Sequence, residues 1–296
     1  MTQSATDLWA QWLLHRRHGG DAQRLKATLD SLYPVRDKVL TAARLQKGGT
    51  LLDVGCGDGL IAFGALDRDP TARVIFTDIS TDLLEHAASL ARRMQVADRC
   101  EFLCASADDL SAFRDGTADA VTTRSVLIYV ADKRRAVQEF YRVLRPGGRL
   151  SVFEPINRFG EPQPPEVFYG FDVTPVMPIA AKIKAVHQRL QPSDADPMLN
   201  FDERDLIAHV ERAGFREIHL DLEVDVKPLG GVPGSKMTWE TFVRTAANPR
   251  LPTLGETMAQ ALTADEAARF TAHLRPLVES RTGTYRSAVA YVSATK

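Results

Sequence analysis

The sequence predicts an α/β fold: a doubly wound, mostly parallel sheet with an antiparallel last strand, a helical N-terminal cap and two insertions. Three observations predict it. Between residues 50 and 154, short β-rich apolar runs alternate with amphipathic segments, as parallel strands joined by crossover helices require. A glycine-rich turn, Asp53-Val54-Gly55-Cys56-Gly57-Asp58-Gly59, stands where the first run ends and a helix begins. Outside that stretch, helical spacing and segments rich in proline and aromatics replace the alternation.

The elements follow in order. Leu8, Trp9, Trp12 and Leu13, then Ala22, Leu25, Leu29 and Leu32, then Val35, Val39 and Ala43 recur at helical spacing, with breaks expected at Gly19-Gly20 and Tyr33-Pro34. These make a cap over residues 1–47. Strands are expected at 51–54, 73–77, 100–104, 119–123 and 149–154. Leu83, Ala87, Leu90, Ala91 and Met94 form a helix stripe behind Ser80 and Thr81, and Ala136, Val137, Phe140, Val143 and Leu144 form another, opened by Asp132 and stopped by Pro146-Gly147-Gly148. A helix ending at Gly214, a strand over 216–222 and a closing strand over 287–293 complete the domain, 48–296. Residues 155–200 and 227–284 interrupt it as lid-like insertions, since loops of that length in a compact fold usually cover a site.

The bulk properties narrow the function. With 296 residues, 44% of them hydrophobic, the chain can bury a full core. Lys and Arg number 37 against 38 for Asp and Glu, giving a formal net charge of -1; that leaves no field to hold a phosphate backbone, so nucleic acid is not expected as a partner. The arginine pairs 16–17, 92–93 and 134–135 read as solvated helix faces. The apolar run at 8–14 is too short for a membrane span or a secretory segment, so a cytoplasmic protein without a membrane partner is expected. Cys56, Cys100 and Cys104 are too few for a disulfide framework and read as reduced core thiols, and no Cys/His cluster has zinc spacing, so no metal is expected.

Glycines at 55, 57 and 59 let the backbone turn tightly and approach a ligand. The dinucleotide fingerprint needs glycine at position 60, which is Leu60, so the spacing disfavours a nicotinamide cofactor. Asp78, ending the second strand, is placed to accept from both ribose hydroxyls of an adenosine. Tyr129 and Lys133 have the Tyr-x-x-x-Lys spacing of short-chain dehydrogenases, but Asp132 opens a helix between them, so the pair straddles a loop.

With the turn at 53–59, Thr77-Asp78-Ile79-Ser80 and the run from Glu139 through Arg145-Pro146-Gly147-Gly148-Arg149-Leu150, the sequence resembles the class I S-adenosylmethionine-dependent methyltransferases. The likeness is to the branch that includes the ubiquinone/menaquinone C-methyltransferases and many small-molecule enzymes, and it covers residues 47–154. It implies the Rossmann-like fold and S-adenosyl-L-methionine as cofactor. On the matching positions, Asp53, Gly55, Gly57 and Gly59 would floor the methionine side, Asp78 would hold the ribose and Ile79 would pack on adenine. Ser106-Ala107 replaces the family's Asp-Ala pair, weakening the adenine contact or moving it to Asp108. Arg124 would meet the methionine carboxylate, the alternative being a surface guanidinium.

Methyl transfer from a sulfonium is an in-line displacement, for which holding the acceptor close in a dry pocket can suffice. The aromatics Phe153, Phe159, Phe168, Tyr169 and Phe171 suggest a small, flat or apolar organic acceptor, a secondary metabolite among them. Tyr129 and Glu154 are the expected catalytic residues. The alternatives are a packed tyrosine and a carboxylate ordering the Pro155-Ile156-Asn157 turn. His15, His18 and His187 are expected at the surface or in a lid. The sequence lacks the Asn/Asp-Pro-Pro-aromatic signature of base and amide methylation and any Pro-Cys nucleophile. The rival functions are a carboxyl or amine methyltransferase acting on a peptide or protein, an NAD-dependent oxidoreductase, and a cofactor-binding protein without turnover. The oligomeric state has no sequence signal.

Overall fold

The computed structural model describes residues 7–229 and 237–296, so residues 1–6 of the cap and 230–236 of the second insertion lie outside the described residues. The cap opens with α1 (Leu8–Gln11), whose N-terminal N–H groups at Trp9 and Ala10 donate to the Asp7 carboxylate. It continues as a wide turn over Trp12–Arg16, in which the Arg17 N–H reaches five residues back to the Trp12 carbonyl. The long α2 (Ala22–Ala43) follows, and Pro34 lies inside it instead of breaking it. The carbonyl that loses a donor there belongs to exposed Asp30, where water can replace the lost bond.

The sheet then builds by alternation: β1 (Thr50–Val54), α3 (Leu60–Arg68), β2 (Arg73–Asp78), α4 (Thr81–Arg93), β3 (Cys100–Cys104), β4 (Ala118–Arg124), α5 (Lys133–Val143) and β5 (Leu144–Pro155). The first insertion contributes the small hairpin β6 (Val167–Phe168) and β7 (Phe171–Asp172), and α6 (Met177–Leu190). After α7 (Glu203–Ala213) and β8 (Arg216–Pro228) come α8 (Trp239–Val243), α9 (Leu254–Ala261), α10 (Ala264–Ser280) and β9 (Thr284–Thr295). Seven strands lie in the order β3-β2-β1-β4-β5-β9-β8. β1 to β5 pair in parallel, and β9 runs antiparallel between β5 and β8. The strand order reverses beside β1, so the carboxyl ends of β1 and β4 part there and leave a crevice.

Alternation along β1 sends Leu51 to one face and Leu52 to the other, and both are fully buried. One face packs Leu52 and Val121 beneath Phe140 of α5 and Leu206 of α7, and the other packs Leu51 and Phe76 beneath Leu40 of α2 and Ile61 of α3. Three expectations change. β3 is the sheet's edge, so Cys104 is exposed and Cys100 half-buried, and only Cys56 is a buried thiol. β8 and β9 run longer than expected because they pair as a ribbon whose exposed Val224, Val226 and Tyr285 hide the inside/outside pattern. The two insertions, finally, share one core: Phe168 and Ile183 from the first pack with Trp239, Leu254, Phe270 and Leu274 from the second. Among the described residues no helix is long and apolar enough to cross a membrane.

Candidate active site

The crevice at the strand ends opens into a cavity of about 700 Å³, within the size range of small-ligand sites. Its floor is the glycine turn. Gly55 has φ +65, and a Cβ there would lie 2.3 Å from Val126 Cγ2, so only glycine fits. Gly57 donates its N–H to Asp78 Oδ2 at 2.9 Å, and the Ser80 N–H donates to Oδ1 at 2.9 Å. Those bonds fix the Asp78 carboxylate at the end of β2 with its remaining acceptor capacity toward the cavity it lines. Burial pushes its pKa up, against the pull of the Ser80 and Gly57 N–H groups. Beside it, Ile79 is 50% exposed and also lines the cavity, an apolar surface open to a flat ring.

The remaining expected cofactor residues divide. Ser106, Ala107 and Arg124 line the cavity with Asp108, and the Ser106 hydroxyl donates to the Asp108 carboxylate. Asp53 and Gly59 do not line it. Asp53 is buried under the turn, where Oδ1 accepts from Thr122 Oγ1 at 2.8 Å and Oδ2 has no partner among the described residues. Burial pushes its pKa up to about 7. Gly59, with φ +84, starts α3, and a Cβ there would sit 2.5 Å from Phe63 Cε2, so its role is the packing of helix on strand.

Of the two expected catalytic residues, Tyr129 faces the cavity, edge-on to Trp9 at a centroid distance of 4.9 Å. Burial raises its pKa to about 12, with Arg17, Arg124 and Arg250 pulling the other way and Glu154 adding to the rise. Glu154 does not line the cavity. It is fully buried, and its carboxylate accepts the N–H groups of Val126 and Leu127, each at 2.9 Å, and of Ile128 at 3.2 Å. It thus shapes the loop after β4 rather than the Pro155-Ile156-Asn157 turn. Burial pushes its pKa up to about 7 against those three bonds. Lys133 likewise does not serve Tyr129: its ammonium donates to the carbonyls of Val130 and Pro197 and to Asn200 Oδ1, tying the first insertion to the same loop.

The aromatics that meet the cavity are Trp9, Trp12 and Tyr129. The five expected ones lie elsewhere. Phe168 and Phe171 are in the lid core with Tyr169 packed against it, Phe153 packs on Tyr291, and Phe159 packs beside the sheet core. Two cap residues also line the cavity: Arg17, expected on a solvated helix face, and His18, expected at the surface or in a lid and found buried. The wide turn over Trp12–Arg16 shifts the helical phase by about one residue and carries both inward. The only sequence signal is the Arg17-His18-Gly19-Gly20 end of an apolar run. His15 is exposed as expected, and His187 lies half-buried in α6, 3.4 Å from Thr257.

Comparison with known proteins agrees with the fold described above. A family profile described as a methyltransferase domain matches residues 52–152. A ubiquinone/menaquinone biosynthesis C-methyltransferase from Enterobacter sp. (strain 638) is 38% identical over 112 residues, which is 37% of this chain and 44% of that protein. The chain thus spans less than half the length of that relative. The Cereibacter sphaeroides (strain ATCC 17029) protein of the same name is 32% identical over 184 residues, 61% of this chain and 71% of its own length. Among solved structures, Haemonchus contortus phosphoethanolamine N-methyltransferase 2 in complex with S-adenosyl-L-methionine superposes with a TM-score of 0.50 at 17% identity, over 89% of this chain and 52% of that one. At that identity the likeness is one of fold.

Proposed function

Since this chain belongs to the class I S-adenosylmethionine-dependent methyltransferase family, we propose that it transfers a methyl group from S-adenosyl-L-methionine to a small organic acceptor. The observation that carries the reading is Asp78. Its carboxylate is aimed into the cavity by the Gly57 and Ser80 N–H groups, beside the open surface of Ile79 and above a turn where no Cβ fits at Gly55. Those residues fit the cofactor's adenosine, and Arg124 on the cavity lining fits the carboxylate of the methionine end. The cofactor supplies an electrophilic methyl on a sulfonium, and its positive charge is lost as the methyl leaves.

The chain's own residues do the rest. Asp78 accepts from ribose hydroxyls, and Ile79 and Ala107 flank the adenine. Glu154 holds Val126, Leu127 and Ile128 so that Tyr129 borders the acceptor, which Tyr129 orients through its hydroxyl. The cap and the joined insertions exclude water: Trp12 Nε1 donates to the Ala246 carbonyl at 3.0 Å and Arg24 to Thr245 Oγ1 at 2.8 Å. That closure supports a small molecule over a peptide, protein or nucleic acid as acceptor. The same proposal places the enzyme in the cytoplasm, on its three free thiols.

Calorimetry tests the reading. S-adenosylhomocysteine should bind and NAD should not, and Asp78→Ala should weaken the former at least tenfold, since each hydrogen bond to a charged acceptor contributes about 1.5–3 kcal/mol. Unchanged affinity in Asp78→Ala would remove the assignment.

A further inference from the structure

We propose that the acceptor carries an oxyacid anion, a carboxylate or a phosphate, seated by Arg17 and Arg250 at the cap end of the cavity. This deepens the methyl-transfer reading above and rests on it.

Four arginines line the cavity: Arg17 and Arg24 from the cap, Arg124 at the end of β4, and Arg250 after α8. Among the described residues none of the four has a carboxylate within ion-pair distance. Other arginines of the chain are treated differently. Arg16, one residue before Arg17, pairs with Glu256, and Arg142 pairs with Asp115 and Glu139. The guanidinium of Arg17 lies 5.3 Å from the Trp12 ring centroid; Arg124 and Arg24 act on it as like charges, and Asp58, beyond ion-pair distance, is the one carboxylate among the described residues that acts on it with the opposite sign. Arg17, Arg124 and Arg250 all act on the Tyr129 hydroxyl. Arg17, Arg24 and Arg124 are half-buried and Arg250 is exposed; holding the three half-buried guanidinium groups together costs free energy unless a ligand brings the opposite charge.

The cofactor does not bring enough. S-adenosyl-L-methionine carries one carboxylate against an ammonium and a sulfonium, so it adds net positive charge. Its carboxylate accounts for one arginine, taken as Arg124 beside the turn. Arg24 is occupied as a bracket to Thr245 Oγ1. Asp78 and Asp108 are the only acids on the lining, and both lie at the adenosine end. His18 adds no charge, since burial with Arg17 and Arg24 lowers its pKa to about 4. Arg17 and Arg250 therefore remain for the second ligand. The planar guanidinium fork suits the paired oxygens of an oxyacid, and Trp9, Trp12 and Tyr129 would cover its apolar body.

The test is calorimetry on the full chain saturated with S-adenosylhomocysteine, using 2-naphthoate, 2-naphthyl phosphate and the neutral 2-naphthamide as probes. At least one anion should bind tenfold or more tighter than the amide, the preference should shrink in high salt, and the tighter anion identifies the acid. Arg17→Gln and Arg250→Gln should each weaken anion binding fivefold or more while amide binding holds. Arg17→Lys, which keeps the charge, should retain part of it and so separates charge loss from misfolding. Equal binding of amide and anions, or no binding of either anion, overturns the proposal. So does an Arg17→Gln variant that loses S-adenosylhomocysteine affinity and keeps anion affinity, because Arg17 would then serve the cofactor. Failure of S-adenosylhomocysteine itself to bind is a different result, which sinks the methyl-transfer reading along with the proposal.

Discussion

The Ser80 hydroxyl donates to the Asp7 carboxylate at 2.6 Å, across 73 residues of chain. Ser80 also caps α4 by accepting the Leu83 N–H at 3.0 Å, and its own N–H holds Asp78. One serine therefore joins the cap, a crossover helix and the proposed ribose acceptor, so that closure of the cap and order at Asp78 depend on each other.

Replacing Asp7 with Ala should consequently do more than fray a helix. Loss of the α1 cap costs about 1 kcal/mol, and loss of the link to Ser80 frees the cap. Hydrogen exchange over residues 8–17 should accelerate, and S-adenosylhomocysteine affinity should fall. Exchange unchanged from the parent would show that the cap is held elsewhere, by Trp12 and Arg24.

At Gly55 two effects can be separated. Gly55→Ala places a methyl against Val126 and forces a non-glycine residue into left-handed backbone, which costs about 1–2 kcal/mol. The melting temperature should drop, and adding Val126→Ala should restore the steric part while leaving the backbone part. Full recovery in the double variant would mean that backbone strain is negligible there.

Glu154 and Asp53 make stability depend on pH. The folded pKa of each is raised to about 7, above the unfolded carboxylate value. The folded state therefore keeps protons that the unfolded state has released, and stability falls as pH rises from the unfolded pKa through 7. Denaturant titrations between pH 4.5 and 8 should show this decline, and Glu154→Gln should flatten it in part, with Asp53 supplying the remainder. A slope identical to the parent's would mean that Glu154 is ionised throughout. Glu154→Ala should destabilise the chain by about 3 kcal/mol, since it leaves three N–H groups, two of them buried, without their acceptor.

Tyr129 should show a kinetic effect without a binding one. For a hydroxyl acceptor, Tyr129→Phe should lower turnover about 10²-fold at unchanged S-adenosylhomocysteine affinity. Parent-like turnover would leave catalysis to proximity alone.

The sequence by itself determined the sheet, the order of its first five strands along the chain, the presence of a closing strand, and the glycine turn facing Asp78. All of these are written in local periodicity and in residues, such as Gly55, that have a backbone requirement of their own. It did not determine which side chains meet the second ligand. Glu154 read as catalytic because it ends a strand at the crevice, yet a side chain's direction at a strand end is set by the loop packed over it, and here three N–H groups draw the carboxylate inward. Arg17 read as part of a solvated helix face and His18 as a surface or lid residue, whereas over residues 12–16 one hydrogen bond spans five residues, moves the helical phase and turns both toward the cavity. That the two lid-like insertions share one core was invisible for a related reason. That core joins Phe168 to Phe270 across about a hundred residues, and contacts so distant in sequence leave no periodic trace in either segment.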